Sequence, residues 1–268
     1  MKSDSRPIGI FDSGIGGLTV AAAINDLMPH ERLIYFGDTA HLPYGEKSAK
    51  TIQGYSEKIS DFLLKQDCKA IVIACNSASA TAYPTVRKST PKEVPVINVI
   101  DPTVAYVSKK YPFGKIGVIG TKATVNSRSY AKRIQKANPQ LSVSMLATPL
   151  LVAMIEEGFF NNNISQAIIN NYLEKNTLSK IKALILGCTH FPLIKGEVAK
   201  YYRGSAEVID SSTIVAQSLK AEVQKRGLLS SDLSGLHHFY VSEKTNSFEQ
   251  STKLFFGEKL KLEKKRLP

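Results

Sequence analysis

IGIFDSG at residues 8–14 resembles IGVIGTK at residues 116–122, 108 positions later. KAIVIACNSA, from Lys69, resembles KALILGCTHF, from Lys182, 113 positions later. VID at 99–101 matches VID at 208–210, 109 positions later. Three matches in one order and at nearly one offset describe a chain built from two similar units. The spacing is far longer than the short periods of solenoid repeats. The second unit is expected to span residues 98–208. The first takes residues 1–97 and is completed by 209–268, the C-terminal segment returning to it.

Each repeated stretch is a short apolar run that ends in Gly, Ser, Thr or Cys, which is how a buried strand delivers its last residues into a loop. Strands are predicted at 8–11, 33–36, 70–74, 96–99, 116–119, 143–147, 183–186, 207–209 and 238–241. Helices are predicted at 18–26, 48–66, 78–90, 103–110, 127–136, 150–156, 163–176, 193–201 and 212–225. Strands alternating with helices predict an α/β fold of mostly parallel sheets. The two units are then related by pseudo-symmetry, with a site in the cleft between them.

Ligands of such sheets bind beyond the carboxyl ends of the strands. Cys75 and Cys188 both follow strand ends, at matched positions of the repeat. If the units face each other, one thiol arrives from each side of a shared cleft. One thiolate can remove a proton from a carbon while the other thiol returns a proton to the opposite face, which inverts a stereocentre. A free thiol titrates near ~8.5, so the pair needs neighbours that hold one sulfur ready as base and the other as acid. Asp12 on one side and His190 on the other are placed for this, and Glu156 is a third group within possible reach of the cleft. Ser13, Asn76, Ser77, Thr121, Thr124 and Thr189 supply neutral donors and acceptors. The turn SGIGG at 13–17 offers backbone N–H groups to a carboxylate. The loop GDTAHLPYGEKS supplies Tyr44 and Gly45 as a wall or lid. This chemistry needs no cofactor, no metal and no nicotinamide.

Other residues carry the plainer reading. Cys68 has no polar loop after it and reads as a small buried hydrophobe. His41 reads as a loop residue, and His237-His238 as a strand or surface pair. Asp101 and Asp210 read as helix caps. The three cysteines include no CxxC pair and the count is odd, which argues against a disulfide framework and fits a reducing, cytoplasmic setting. No apolar run reaches membrane-spanning length. The formal charge is +12, partly in the tail KLKLEKKRLP. With no nucleic-acid motif beside it, the tail reads as a solvated terminal helix, and nucleic acid is not expected as a partner.

GIFDSGIGGLTV, YFGDTAHLPYGEKS, IVIACNSASATAY, GVIGTKATV and LILGCTHFPLI together resemble the glutamate racemase family, in family order over roughly residues 8–215. The resemblance implies a cofactor-independent isomerase that interconverts L- and D-glutamate and supplies D-glutamate for peptidoglycan. It implies Cys75 and Cys188 as the catalytic acid/base pair, assisted by Asp12, His190 and Glu156. It implies substrate contacts at Asp12, Ser13, Tyr44, Gly45, Asn76, Ser77, Thr121, Thr189 and His190. It also implies a homodimer. Ser77 stands where the family more often has threonine, which keeps the hydroxyl. Residues 150–160 follow the family more loosely. Three alternatives stay open from sequence: a racemase of aspartate or a related acid, a non-catalytic binding protein for an acidic amino acid, and a basic nucleic-acid-binding protein whose DNA affinity would fall steeply with salt.

Overall fold

The computed structural model describes residues 4–231 and 236–267. Its strands are β1 (Ile8–Asp12), β2 (Leu33–Gly37), β3 (Ala70–Ile73), β4 (Val96–Asn98), β5 (Gly114–Gly120), β6 (Leu141–Ala147), β7 (Ala183–Gly187), β8 (Glu207–Ile209), β9 (His238–Val241) and β10 (Glu263–Lys264). Its helices are α1 (Leu18–Leu27), α2 (Ala49–Lys65), α3 (Asn76–Thr81), α4 (Tyr83–Ser89), α5 (Ile100–Lys110), α6 (Lys122–Ser127), α7 (Ser129–Ala137), α8 (Pro149–Glu156), α9 (Asn163–Leu173), α10 (Lys195–Tyr202), α11 (Ser211–Lys225) and α12 (Asn246–Phe256). Short 3₁₀ turns lie at Tyr44–Glu46, Asn176–Leu178 and Phe191–Ile194.

Among the described residues the strands form two sheets, ordered β10-β9-β2-β1-β3-β4 and β6-β5-β7-β8, and every pairing is parallel. The arrangement β2-β1-β3-β4 recurs as β6-β5-β7-β8, which is the repeat seen in the sequence. The register recurs too: Ile8 lies opposite Ala70, and Ile116 opposite Ala183. The fold is therefore α/β with two similar sheets.

One match in the repeat is displaced. Ile71 pairs with Val96 and Leu184 with Val208, so Val208 corresponds to Val96 and not to Val99. Val96-Ile97-Asn98 is the true partner of Val208-Ile209-Asp210, at an offset of 112. The residues at the ends of these runs do the same work. Asn98 Oδ1 accepts from Ile100 N at 2.9 Å, and Asp210 Oδ1 from Ser212 N at 2.8 Å, each satisfying an orphan donor of the following helix. Asp210 is a cap as expected. Asp101 is not, since it lies inside the first turn of α5, where it accepts from Asn98 and pairs with Arg133.

Side chains alternate across a strand, so the unbroken apolar runs serve two cores at once. In β1, Ile8 and Ile10 join the larger core, which also takes in both faces of β7, and Phe11 the smaller one beneath α2 and α4. In β3, Ala70 and Val72 face the first, Ile71 and Ile73 the second. α1, α5 and α11 contribute Ile24, Val104 and Leu219 to the larger core.

Three local expectations change. The helix expected over 78–90 is two helices, α3 and α4, broken at Ala82 because Pro84 occupies the first turn of α4 and cannot continue a helix from upstream. The one expected over 193–201 begins as a 3₁₀ turn at Phe191–Ile194, around Pro192, before α10. The basic tail holds a two-residue strand, Glu263–Lys264, and among its described residues no helix. β10 pairs with β9, Leu260 and Leu262 are buried, and the alternating Lys259 and Lys261 face solvent. KLKLEK alternates with period two, so burying the leucines against the sheet leaves the charges outside. α6 and α12 were not anticipated.

Candidate active site

The carboxyl ends of β1, β3, β5 and β7 converge on one cavity of about 170 Å³. It is smaller than a drug-sized pocket and suits a small polar molecule. Cys75 and Cys188 both line it, as do Ser13, Tyr44, Gly45, Asn76, Ser77, Thr121, Glu156, Thr189 and His190. Asp12 lies just behind the wall, fully buried, and accepts from Gly14 N at 3.0 Å. Thr189 Oγ1, at 3.5 Å from Asp12 Oδ1, joins the two sides. Thr124 does not reach the cavity. It is buried and sits in the cap of α6, where its N–H donates to Thr121 Oγ1.

The two sulfurs stand in different surroundings. Cys75 is the N-cap of α3, and its Sγ accepts from Ala78 N at 3.5 Å while the thiol donates to Ser13 Oγ at 3.6 Å. Burial, and after it the Asp12 charge, push the Cys75 thiol up to about 12. Burial likewise raises the Asp12 carboxyl, against the pull of His190 and of nearby backbone N–H groups.

Cys188 instead faces an imidazole. His190 Nδ1 lies 3.7 Å from Cys188 Sγ, and Nε2 lies 3.0 Å from Glu156 Oε1. Burial works to lower the His190 pKa, but the bonds to Cys188 and Glu156 outweigh it and raise it to about 10. The ring can therefore hold a proton between the Cys188 sulfur and the Glu156 carboxyl. Glu156 comes from the last turn of α8 and His190 from the loop after β7. Their contact joins residues 34 positions apart.

The ring's place also depends on a glycine. A Cβ at Gly16 would lie 2.5 Å from His190 Cε1 and Nδ1 and 2.6 Å from Thr189 Oγ1. The turn at 13–17 thus lets the loop after β7 dock flush against the end of β1. Gly45 does the same on the other side, where a Cβ would meet Thr121 Cβ at 2.7 Å. Ser77 and Thr121 hydroxyls are hydrogen-bonded at 2.9 Å.

Asn76 supplies a donor with no internal partner. Its Oδ1 accepts from Tyr130 OH at 2.8 Å, while Nδ2 is buried and unbonded. Buried polar groups are normally paired, so an unpaired amide on a cavity wall points to a ligand acceptor. Tyr44 OH donates to Asp38 Oδ2 at 2.6 Å, and Asp38 also binds His41 and Ser242, which holds the wall loop in place. His41 stacks on Tyr55 outside the cavity and is a loop residue, as expected. Cys68 is buried in the smaller core, its thiol pushed up to about 12 by burial, away from the site.

The family of the chain follows from comparison with known proteins. A model of the Asp/Glu/Hydantoin racemase family matches residues 18–219. The chain belongs to that family. It is 41% identical over 253 residues to a glutamate racemase of Neisseria meningitidis, covering 94% of this chain and 93% of that one. Among solved structures it is similar to glutamate racemase from Francisella tularensis in complex with D-glutamate, with TM-score 0.90, 40% identity and 97% of each chain covered. It is also similar to the glutamate racemase isoform RacE1 from Bacillus anthracis, with TM-score 0.93, 32% identity and 99% of each chain covered. For a member of this racemase family, two wall residues stand out that the motifs did not bring forward. Glu46 and Lys122 line the cavity and face each other across its mouth. Lys122 follows directly on Thr121, just past the carboxyl end of β5, and that position was the available signal.

Proposed function

We propose that the chain is a cofactor-independent glutamate racemase that inverts the α-carbon of glutamate by two-thiol proton transfer. The observation that carries the reading is the shared cavity: cysteines from matched strand ends of the two units line it, one beside Asp12 and the other beside the His190–Glu156 pair. For L-to-D conversion the Cys188 thiolate takes the α-proton from one face, and the Cys75 thiol gives its proton to the other. The reverse reaction exchanges these roles. The raised pKa of the Cys75 thiol and the imidazole 3.7 Å from Cys188 Sγ both favour this starting assignment. Asn76, Ser13, Ser77, Thr121 and Thr189 present donors to the substrate carboxylates, and Tyr44-Gly45 forms the opposite wall. Donors already in place for the charge that develops on deprotonation lower the barrier without reorganising.

The product, D-glutamate, would enter peptidoglycan synthesis in the cytoplasm. Among the described residues no helix is long and apolar enough to cross a membrane. The division into a first unit, residues 1–97 with 209–268, and a second, 98–208, is supported by the separate sheets. The homodimer rests on the family resemblance.

Proton NMR of L-glutamate in D2O with purified protein and no added cofactor, beside circular dichroism, tests the reading. Loss of the α-proton signal with decay of ellipticity toward zero is expected. Retention of both, with folded and reduced protein, refutes it; exchange with aspartate and not glutamate would move the substrate to the shorter acid.

A further inference from the structure

The charged groups on the cavity wall form two pairs. His190 and Glu156 occupy the inner end and serve the thiol. Lys122 and Glu46 occupy the mouth, with Nζ 3.2 Å from Oε2 and both side chains more than half exposed. Lys122 is the first residue of α6, directly after the strand end at Thr121, and Glu46 ends the 3₁₀ turn that carries Tyr44 and Gly45. Their contact spans 76 residues and joins the two walls at the point where the cavity opens.

An exposed pair of this kind is weak, because water screens it and both side chains lose freedom in forming it. It is therefore easily exchanged. A second anion reaching the mouth competes with Glu46 for Lys122 on nearly equal terms. Among the described residues Lys122 is also the Lys or Arg side chain on this wall. Its field extends over about 8 Å at physiological ionic strength, comparable with the depth of a small cavity.

We propose that Lys122 is an anion-selecting residue at the entrance, exchanged between Glu46 and the carboxylate of an incoming acidic amino acid. Glu46 is its competitor: it holds the cation when the site is empty and yields it when an anion arrives. The inference rests on the glutamate reading for the identity of the anion, but not for the charge exchange itself.

The two residues then have opposite effects. Removing Lys122 removes the attraction, whereas removing the Glu46 charge leaves Lys122 free and strengthens it. A structural latch would give the same sign for both, since either change breaks the same contact. The test uses the cavity thiols as reporters, with iodoacetate as an anionic probe and iodoacetamide as a neutral one. Alkylation of Cys75 and Cys188 is followed by peptide mass spectrometry at low and high salt, with buried Cys68 as internal control. The expected result is a fall in the iodoacetate-to-iodoacetamide rate ratio of roughly 3- to 10-fold for Lys122→Met at low salt, and a rise for Glu46→Gln. Both changes should shrink as salt increases. Glutamate kcat/KM should move in the same two directions.

A ratio unchanged in both variants overturns the proposal. So does a change of the same sign in both, or one that is equal for neutral and anionic probes. If the ratios respond with opposite signs while the wild-type protein fails to racemise glutamate, the charge exchange stands and the substrate assignment falls.

Discussion

Gly16→Ala is the substitution that isolates how the His190 ring is positioned. The glycine is not in a left-handed conformation, so alanine meets no backbone strain, and its effect is steric. The added Cβ would sit 2.5 Å from two atoms of the ring, whereas ordinary contact begins at 3.4 Å, so the ring or the turn must move by 3.4 − 2.5 = 0.9 Å. His190 is packed edge-on against Phe255, bonded to Glu156 and enclosed in the core. It has little free space to enter. Overpacking of this kind costs about 1–3 kcal/mol. A displacement near 1 Å in a catalytic group costs on the order of 10²-fold in rate. The expected outcome is a fall of about two orders of magnitude in kcat/KM for glutamate, measured by circular dichroism, with a Tm lowered by a few degrees. Gly54→Ala is the control: Gly54 lies within α2 with nothing within 4 Å of an added Cβ, so alanine should stabilise by about 1 kcal/mol and leave turnover intact. If Gly16→Ala turns over glutamate within threefold of wild type, the tight docking of this turn does not set the ring's position, and the reasoning fails.

Cys75→Ala and Cys188→Ala should each abolish racemisation while leaving the circular dichroism spectrum of the fold unchanged; near-native turnover in either would end the two-thiol mechanism. The raised pKa of His190 also sets a pH dependence of stability. The folded protein holds this proton up to about 10 while the unfolded chain releases it near 6.5, so the contribution is complete below 6.5 and is lost between 6.5 and 10. Wild type should therefore lose stability across that window, by at most about 1.4 kcal/mol per pH unit, and Glu156→Gln should show a shallower loss in urea melts. Equal slopes would show that Glu156 does not support the charge. Lys69 and Glu31 form a fully buried ion pair at 2.6 Å, remote from the cavity, so Lys69→Met should cost about 3–5 kcal/mol by leaving a buried carboxylate unpaired. A loss below about 1 kcal/mol in denaturant titration would contradict that.

Much of this molecule was open to reading from local pattern. Nine strands were placed to within a residue or two because continuous apolar runs between polar loops have few other uses in a chain of this composition. The cysteines, Asn76, Thr121 and Thr189 were found because they stand where such runs end. The errors have local causes as well. VID at 99–101 is identical in letters to VID at 208–210 but sits one helix cap later, and strand register, not identity, shows that Asn98 is the equivalent of Asp210. The charges of the tail hid a period-two pattern that the sheet edge made into a strand.

The sequence alone thus determined the two-unit α/β plan and the cysteine at each matched strand end, since hydrophobic periodicity and repeat spacing are properties of neighbouring residues. Only the tertiary structure decided which charges meet: Glu156 with His190 and Glu46 with Lys122. Those pairs join residues 34 and 76 positions apart. Their distances are set by how two sheets dock and by glycines such as Gly16 that let the loops close. Coulomb and hydrogen-bond energies change steeply over a few ångströms, so no local pattern along the chain encodes them.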